Sequence, residues 1–156
     1  LEDYKLSWLE IDTFNPSALK NIKNKINTPI NSCENLYGLN QYLPFFENYA
    51  MDIASIDVIW NGISESKKIA DLSDCYQINV TPHNFNGHLS TFISMSFSSI
   101  IPNLRVAEID IDDVPWKDDL FTNIPNIKNG KVILSDKPGW GTDLNEKIMS
   151  KYILDK

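Results

Sequence analysis

Short apolar or β-branched runs alternate along this chain with longer stretches of helical spacing. The runs cover residues 6–11, 29–34, 52–57, 78–83 and 105–110. Their composition and length fit strands. Helical spacing lies between them. Residues 17–26 carry Leu19, Ile22 and Ile26 on one face, and residues 39–49, after Gly38, carry Leu39, Tyr42, Leu43 and Phe46. Residues 64–76 carry Ile69, Leu72 and Tyr76, and residues 88–101 are mostly apolar and small, as a well-buried helix would be. Each predicted helix has a start signal: Asn15-Pro16, Asn35, Ser64 with Glu65, and Asn86-Gly87.

An ionisable residue stands at or near the end of every strand run. Glu10, Glu34, Asp57, His83 and Glu108 are separated by 24, 23, 26 and 25 residues. A strand, a loop and a helix need about that length, so the pattern reads as five successive β/α units. Right-handed βαβ connections put all carboxyl strand ends on one side, where the five groups converge. Acidic residues also favour helix first turns for their dipole, but that preference does not keep one register through five units. An open doubly wound sheet usually carries a Gly-rich phosphate loop after its first strand. The stretch after Glu10, Ile11-Asp12-Thr13-Phe14, has no glycine. A TIM-type barrel builds one site from many strand ends but needs eight strands and typically ~250 residues. The expected fold is therefore α/β, a partial (β/α) barrel.

Residues 112–156 break the rhythm. Asn129-Gly130 turns into the apolar run 131–134, and Pro138-Gly139-Trp140-Gly141 follows. We read residues 1–111 as the barrel portion. Residues 112–156 are read as an extension packing on the barrel or on a capping domain, anchored by Trp116 and Trp140.

The chain has 156 residues, a length for one domain, and a formal net charge of −7, which disfavours nucleic acid as a partner. No apolar run reaches the ~18 residues that a membrane span needs. Two cysteines, Cys33 and Cys75, are too few for a disulfide framework and fit a cytoplasmic setting. There are 13 Lys, 17 Asn and 20 Ile but one Arg, a bias typical of an A/T-rich genome, so single Lys and Asn residues outside motifs carry little weight. The chain does not begin with Met and opens in an apolar stretch, Leu6-Ser7-Trp8-Leu9, so we read it as part of a longer protein.

Four carboxylates and an imidazole cannot simply share a barrel mouth. Two unit charges ~6 Å apart repel by about 3 kcal/mol at an effective dielectric of ~20. A divalent cation relieves this, and oxygen ligands favour a hard ion such as Mg²⁺ over Zn²⁺. Glu10 and Glu34, on adjacent strands, form the best ligand pair. Asp57 and His83, also on adjacent strands, fit an orienter and its base. Glu108 faces the cavity as a hydrogen-bond partner or acid. The set fits metal-stabilised removal of a proton next to a substrate carboxylate.

These residues resemble the C-terminal half of the mandelate racemase/muconate lactonizing group of the enolase superfamily. The resemblance is carried by Trp8-Leu9-Glu10, by Pro29-Ile30-Asn31-Ser32-Cys33-Glu34, and by Asp57 followed by Asn61-Gly62-Ile63-Ser64-Glu65. Residues 82–89 (from Pro82-His83-Asn84), residues 102–108 (ending Ala107-Glu108) and Pro138-Gly139-Trp140-Gly141 continue it in order along nearly the whole chain. It implies about the last five β/α units of a (β/α)₇β barrel, Mg²⁺ held by Glu10 and Glu34, and an acid/base dyad of Asp57 and His83. It also implies that Glu108 hydrogen-bonds the substrate carboxylate or enediolate. Most relatives with this dyad are acid-sugar dehydratases; some are racemases or epimerases. Ile11-Asp12 stands where the family usually has an acid and a proline, and Asn61-Gly62 replaces the common Gly-Gly. The family's Lys-x-Lys base strand and first metal-ligating Asp would lie upstream. A homo-oligomer is expected of the full-length parent, and a sugar acid is its expected small-molecule partner. The rival reading is a catalytically silent half-barrel.

Several residues outside this set have plain structural readings. Cys33 is expected in the core and Cys75 as a structural helix residue; Arg105 is expected in a structural ion pair. Trp8 and Trp60 read as packing or loop anchors, Trp60 with the alternative of lining the pocket. His88 reads as a helix start or a substrate contact. Ile30, Ile56 and Val80 are expected to face a cavity that an incomplete barrel fills only partly.

Overall fold

The computed structural model describes residues 1–111 and 114–152. Four short parallel strands, β1 (Leu9–Glu10), β2 (Ile30–Ser32), β3 (Ile53–Ser55) and β4 (Asn79–Thr81), form a sheet in chain order. The helices α1 (Pro16–Lys23), α2 (Leu39–Glu47), α3 (Val58–Asn61), α4 (Ile63–Cys75) and α5 (His88–Ser98) return the chain between and after them. Sequential parallel order with a helix at every crossover is a segment of a (β/α) barrel wall.

The fifth run is not a strand. It touches the sheet through one parallel bridge, Val80 to Leu104, with Arg105 N donating to Val80 O at 2.8 Å and Val80 N to Asn103 O at 2.9 Å. Asn103 fixes this contact: its buried side-chain amide donates to the carbonyls of Ala70 and Ile78 and to Ser73 Oγ. Beyond it Glu108 N reaches Pro82 O at 3.4 Å without forming a ladder, and Leu104 and Val106 stay 40% and 46% exposed.

Ile30, Ile56 and Val80 do not face an open cavity. All three are fully buried in one cluster with Tyr42, Phe46 and Ile69 from the helices. The register explains this. Glu10 pairs with Asn31, Asn31 with Ile53 and Ile53 with Asn79. That row takes the inner face, and period-2 alternation sends Ile30, Ala54 and Val80 outward to the helices.

Helix starts divide between local and tertiary causes. Asn15 caps α1 as expected, its Oδ1 accepting from Ala18 N at 3.0 Å, with Pro16 opening the helix. Asn35 and Ser64 do not cap. The start of α2 is held from outside: Gly38 N donates to Asn61 Oδ1 at 2.7 Å and Leu39 N to Glu65 Oε1 at 3.0 Å. Gly62, at φ +73°, ends α3 and precedes α4, a backbone state that glycine adopts freely.

The tail forms a hairpin of β5 (Asn126–Lys128) and β6 (Lys131–Ile133). Its turn, Asn129-Gly130, has positive φ at both residues, which suits the twist of paired strands. A short helix, α6 (Glu146–Met149), follows. Trp116 and Trp140 remain 39% and 41% exposed, so they are not buried anchors. Trp116 stacks on Tyr152 instead. Backbone bonds hold the tail, among them Thr122 N to Asp143 O at 2.9 Å. Cys33 is buried and Cys75 exposed, so only the first is a core residue. Among the described residues no helix is long and apolar enough to cross a membrane.

Candidate active site

Asp57 leaves β3 fully buried, and both of its carboxylate oxygens are in use. Oδ1 accepts from Ile59 N at 2.8 Å and Trp60 N at 3.0 Å, capping the single turn of α3. Oδ2 lies 2.8 Å from His83 Nδ1. An ionised carboxylate can only accept, so Nδ1 carries the proton. His83 follows β4, its backbone N–H bonded to Ile56 O at 3.1 Å. Its other nitrogen, Nε2, faces Glu34 Oε2 at 3.6 Å. The Asp57 hydrogen bond raises the His83 pKa above its ordinary value; partial burial opposes the shift, and the charges of Glu34 and Glu108 add to it.

Glu34 reaches this face through a backbone irregularity. Strand alternation from Asn31 would turn Cys33 inward and Glu34 outward. Cys33 instead adopts φ +88°, and its side chain packs in the core. Cys33 N donates to Asp12 Oδ1 at 3.1 Å. Burial pushes the Glu34 carboxyl up; His83 opposes this, while Asp12, Glu10 and Glu108 push further in the same direction. Glu34 thus sits among three other acids.

Glu10 ends β1. Its Oε1 accepts from Asn31 Nδ2 at 2.7 Å and from Trp8 Nε1 at 3.3 Å. Arg105 lies over the Trp8 ring at 5.4 Å, a cation–π contact, and among the described residues it makes no ion pair. Glu108 is held by Asn84: its Oε2 accepts from Asn84 N at 2.8 Å, and Asn84 Nδ2 donates to Glu108 O at 3.1 Å. Asn84 is itself fully buried and bonded to Thr91 and Ser90 of α5. His88, weighed as a substrate contact, is paired with Asp118 and packed edge-on to Phe121.

The donor set fits a hard divalent cation. Glu10 and Glu34 offer carboxylate oxygens in a crowd of like charge, and the fully buried Asn31 Oδ1 has no hydrogen-bond partner. Among the described residues no group of three or more His, Cys, Asp or Glu side chains is placed so as to hold a metal ion by itself.

All five sequence-predicted residues thus gather at the carboxyl end of the sheet. His83 contacts Asp57 and Glu34 directly, and Glu10 and Glu108 lie within electrostatic reach of Glu34. Sequence reasoning missed Asn31 and Asn84. Both stand inside the quoted motifs, Asn31 on the strand before Glu34 and Asn84 next to His83, but neither was given a role there.

A parallel (β/α) wall with acidic strand ends and a carboxylate–imidazole pair defines the class. The family model described as enolase C-terminal domain-like matches residues 1–148. The chain belongs to that family. It is 32% identical to a D-xylonate dehydratase of Haloferax volcanii, over 99% of this chain and 38% of the relative. It is 29% identical to a D-gluconate/D-galactonate dehydratase of Picrophilus torridus, over 93% of this chain and 40% of the relative. A candidate L-alanine-DL-glutamate epimerase of Burkholderia xenovorans, solved with magnesium and fumarate, superposes with a TM-score of 0.94 at 47% identity, covering 96% of this chain and 37% of that one. The chain spans about two fifths of the length of the curated relatives it matches.

Proposed function

We propose that this chain is the C-terminal part of a Mg²⁺-dependent acid-sugar dehydratase of the cytoplasm, with residues 1–111 as barrel and 112–156 as extension. The observation that carries the reading is the Asp57–His83 pair at 2.8 Å, with Nε2 free of Asp57 and turned toward the Glu34 carboxylate. The names of the dehydratase relatives support the reaction class. Glu10 and Glu34 would hold the cation, and Asn31 fixes the Glu10 carboxylate. When bound, the ion supplies positive charge that makes the proton α to a substrate carboxylate more acidic.

A base takes the α proton, the β C–O bond breaks, and the leaving hydroxyl departs as water after accepting a proton. The resulting enol becomes a 2-keto-3-deoxy acid. His83 is suited to the protonation step, because Asp57 holds its imidazole in the charged form to higher pH than an ordinary histidine. Glu108, steadied by Asn84, hydrogen-bonds the substrate carboxylate. The parent is a homo-oligomer in this reading.

A second reading is favoured by the 47% identity to the candidate epimerase. There the same first step ends in return of a proton to the opposite face. Incubating the full-length protein and Mg²⁺ with a sugar-acid library separates the two. Dehydration gives a 2-keto product, epimerisation gives only inverted substrate, and neither product with any acid overturns both.

A further inference from the structure

Tyr37 and Trp60 form an aromatic stack that the roles above leave unused. Their ring centroids are 5.2 Å apart with planes at 3°. Trp60 also stands edge-on to the His83 imidazole, with centroids 6.4 Å apart. Tyr37 is 54% and Trp60 42% exposed. The stack does not stand on a loose loop. Trp60 N is bonded to the carboxylate that orients His83. Tyr37 N donates to Gln41 Oε1 at 2.8 Å, and the next residue, Gly38, donates to Asn61 beside Trp60. One set of hydrogen bonds thus fixes the dyad and the stack together.

We propose that this stack is the binding wall for the carbon chain of the substrate, and that Trp60 is the residue that sets which chain lengths bind. The proposal rests on the sugar-acid reading. The charged end of such a substrate belongs near Glu10, Glu34 and Glu108. Its remaining carbons then extend past His83, and the Trp60 ring is an apolar surface standing beside that imidazole. A polyhydroxy chain presents C–H groups between its hydroxyls, and the electron-rich face of an indole attracts weakly positive C–H bonds. Pockets for polar ligands combine such an apolar wall with a few placed polar groups.

The test uses the full-length enzyme with aldonic acids of four, five and six carbons, and the variants Trp60→Ala, Trp60→Phe and Tyr37→Ala. For Trp60→Ala, KM for the six-carbon acid should rise about five- to tenfold, the scale of a lost aromatic contact. KM for the four-carbon acid should move less than about twofold on the same scale. Trp60→Phe should keep most of the affinity, Tyr37→Ala should weaken the longer acids more mildly, and the pH profile of kcat should not move. A KM rise equal at all chain lengths, a shifted pH profile, or an unchanged KM for the longest acid overturns the proposal while leaving the dehydratase reading intact. An unaltered enzyme that turns over no aldonic acid overturns both.

Discussion

Asp57 divides its two oxygens between a helix and a base, and much of the site follows from that division. Oδ1 closes α3 and Oδ2 holds His83. Removing the carboxylate should therefore damage both. The raised pKa of His83 sets a pH dependence for the protein without divalent cation. A group whose folded pKa lies above its unfolded value contributes stability fully present below the unfolded value, here 6.5, and lost as pH rises through the folded one. Urea midpoints measured in chelator should fall as pH rises from 6.5 into the alkaline range, and His83→Asn should flatten that slope. Midpoints that rise over the window would contradict the Asp57–His83 bond.

Between elements, sidedness and connectivity were legible in the sequence, and terminal geometry was not. The spacing of Glu10, Glu34, Asp57 and His83 locates four strand ends, because a β/α unit has a nearly fixed length. The cap of α1 was readable because Asn15 and Pro16 act locally. The start of α2 was not, because Asn61 and Glu65 reach across from the next unit, and α4 starts after Gly62 with no side-chain cap to read. The one-turn α3 was hidden for a similar reason: its cap is a residue read as catalytic. Gly62 joins α3 to α4 with φ +73° and open space where a Cβ would stand. Gly62→Ala should therefore cost backbone strain alone, about 1–2 kcal/mol, read as a lower urea midpoint. An unchanged midpoint would mean that the junction relaxes freely.

For the molecule as a whole, the open sheet sets the behaviour. Among the described residues β1 pairs only with β2, and the far side of β4 is met by a single bridge at Leu104. Unpaired backbone groups and exposed apolar side chains beside them, such as Leu104, Val106 and Ile111, favour association. Sedimentation of the 156-residue chain should find self-associated species with little activity; a monodisperse, cooperatively folding, active monomer would contradict this. The candidate site was legible to the extent that it lies at strand ends. Its supporting amides were not, since Asn31 and Asn84 are fully buried beside the site and a single sequence does not reveal burial.

Turnover of a sugar acid by the full-length protein carrying His83→Asn tests the central claim most directly. Asparagine keeps a polar group near Asp57 but cannot exchange a proton near neutral pH. With Mg²⁺ saturating and the fold verified by circular dichroism, the rate of 2-keto acid formation should drop by about 10²-fold or more, the scale of a lost general acid or base. Formation of the keto acid at the unaltered rate would contradict the assignment of His83, and with it the reading of the site.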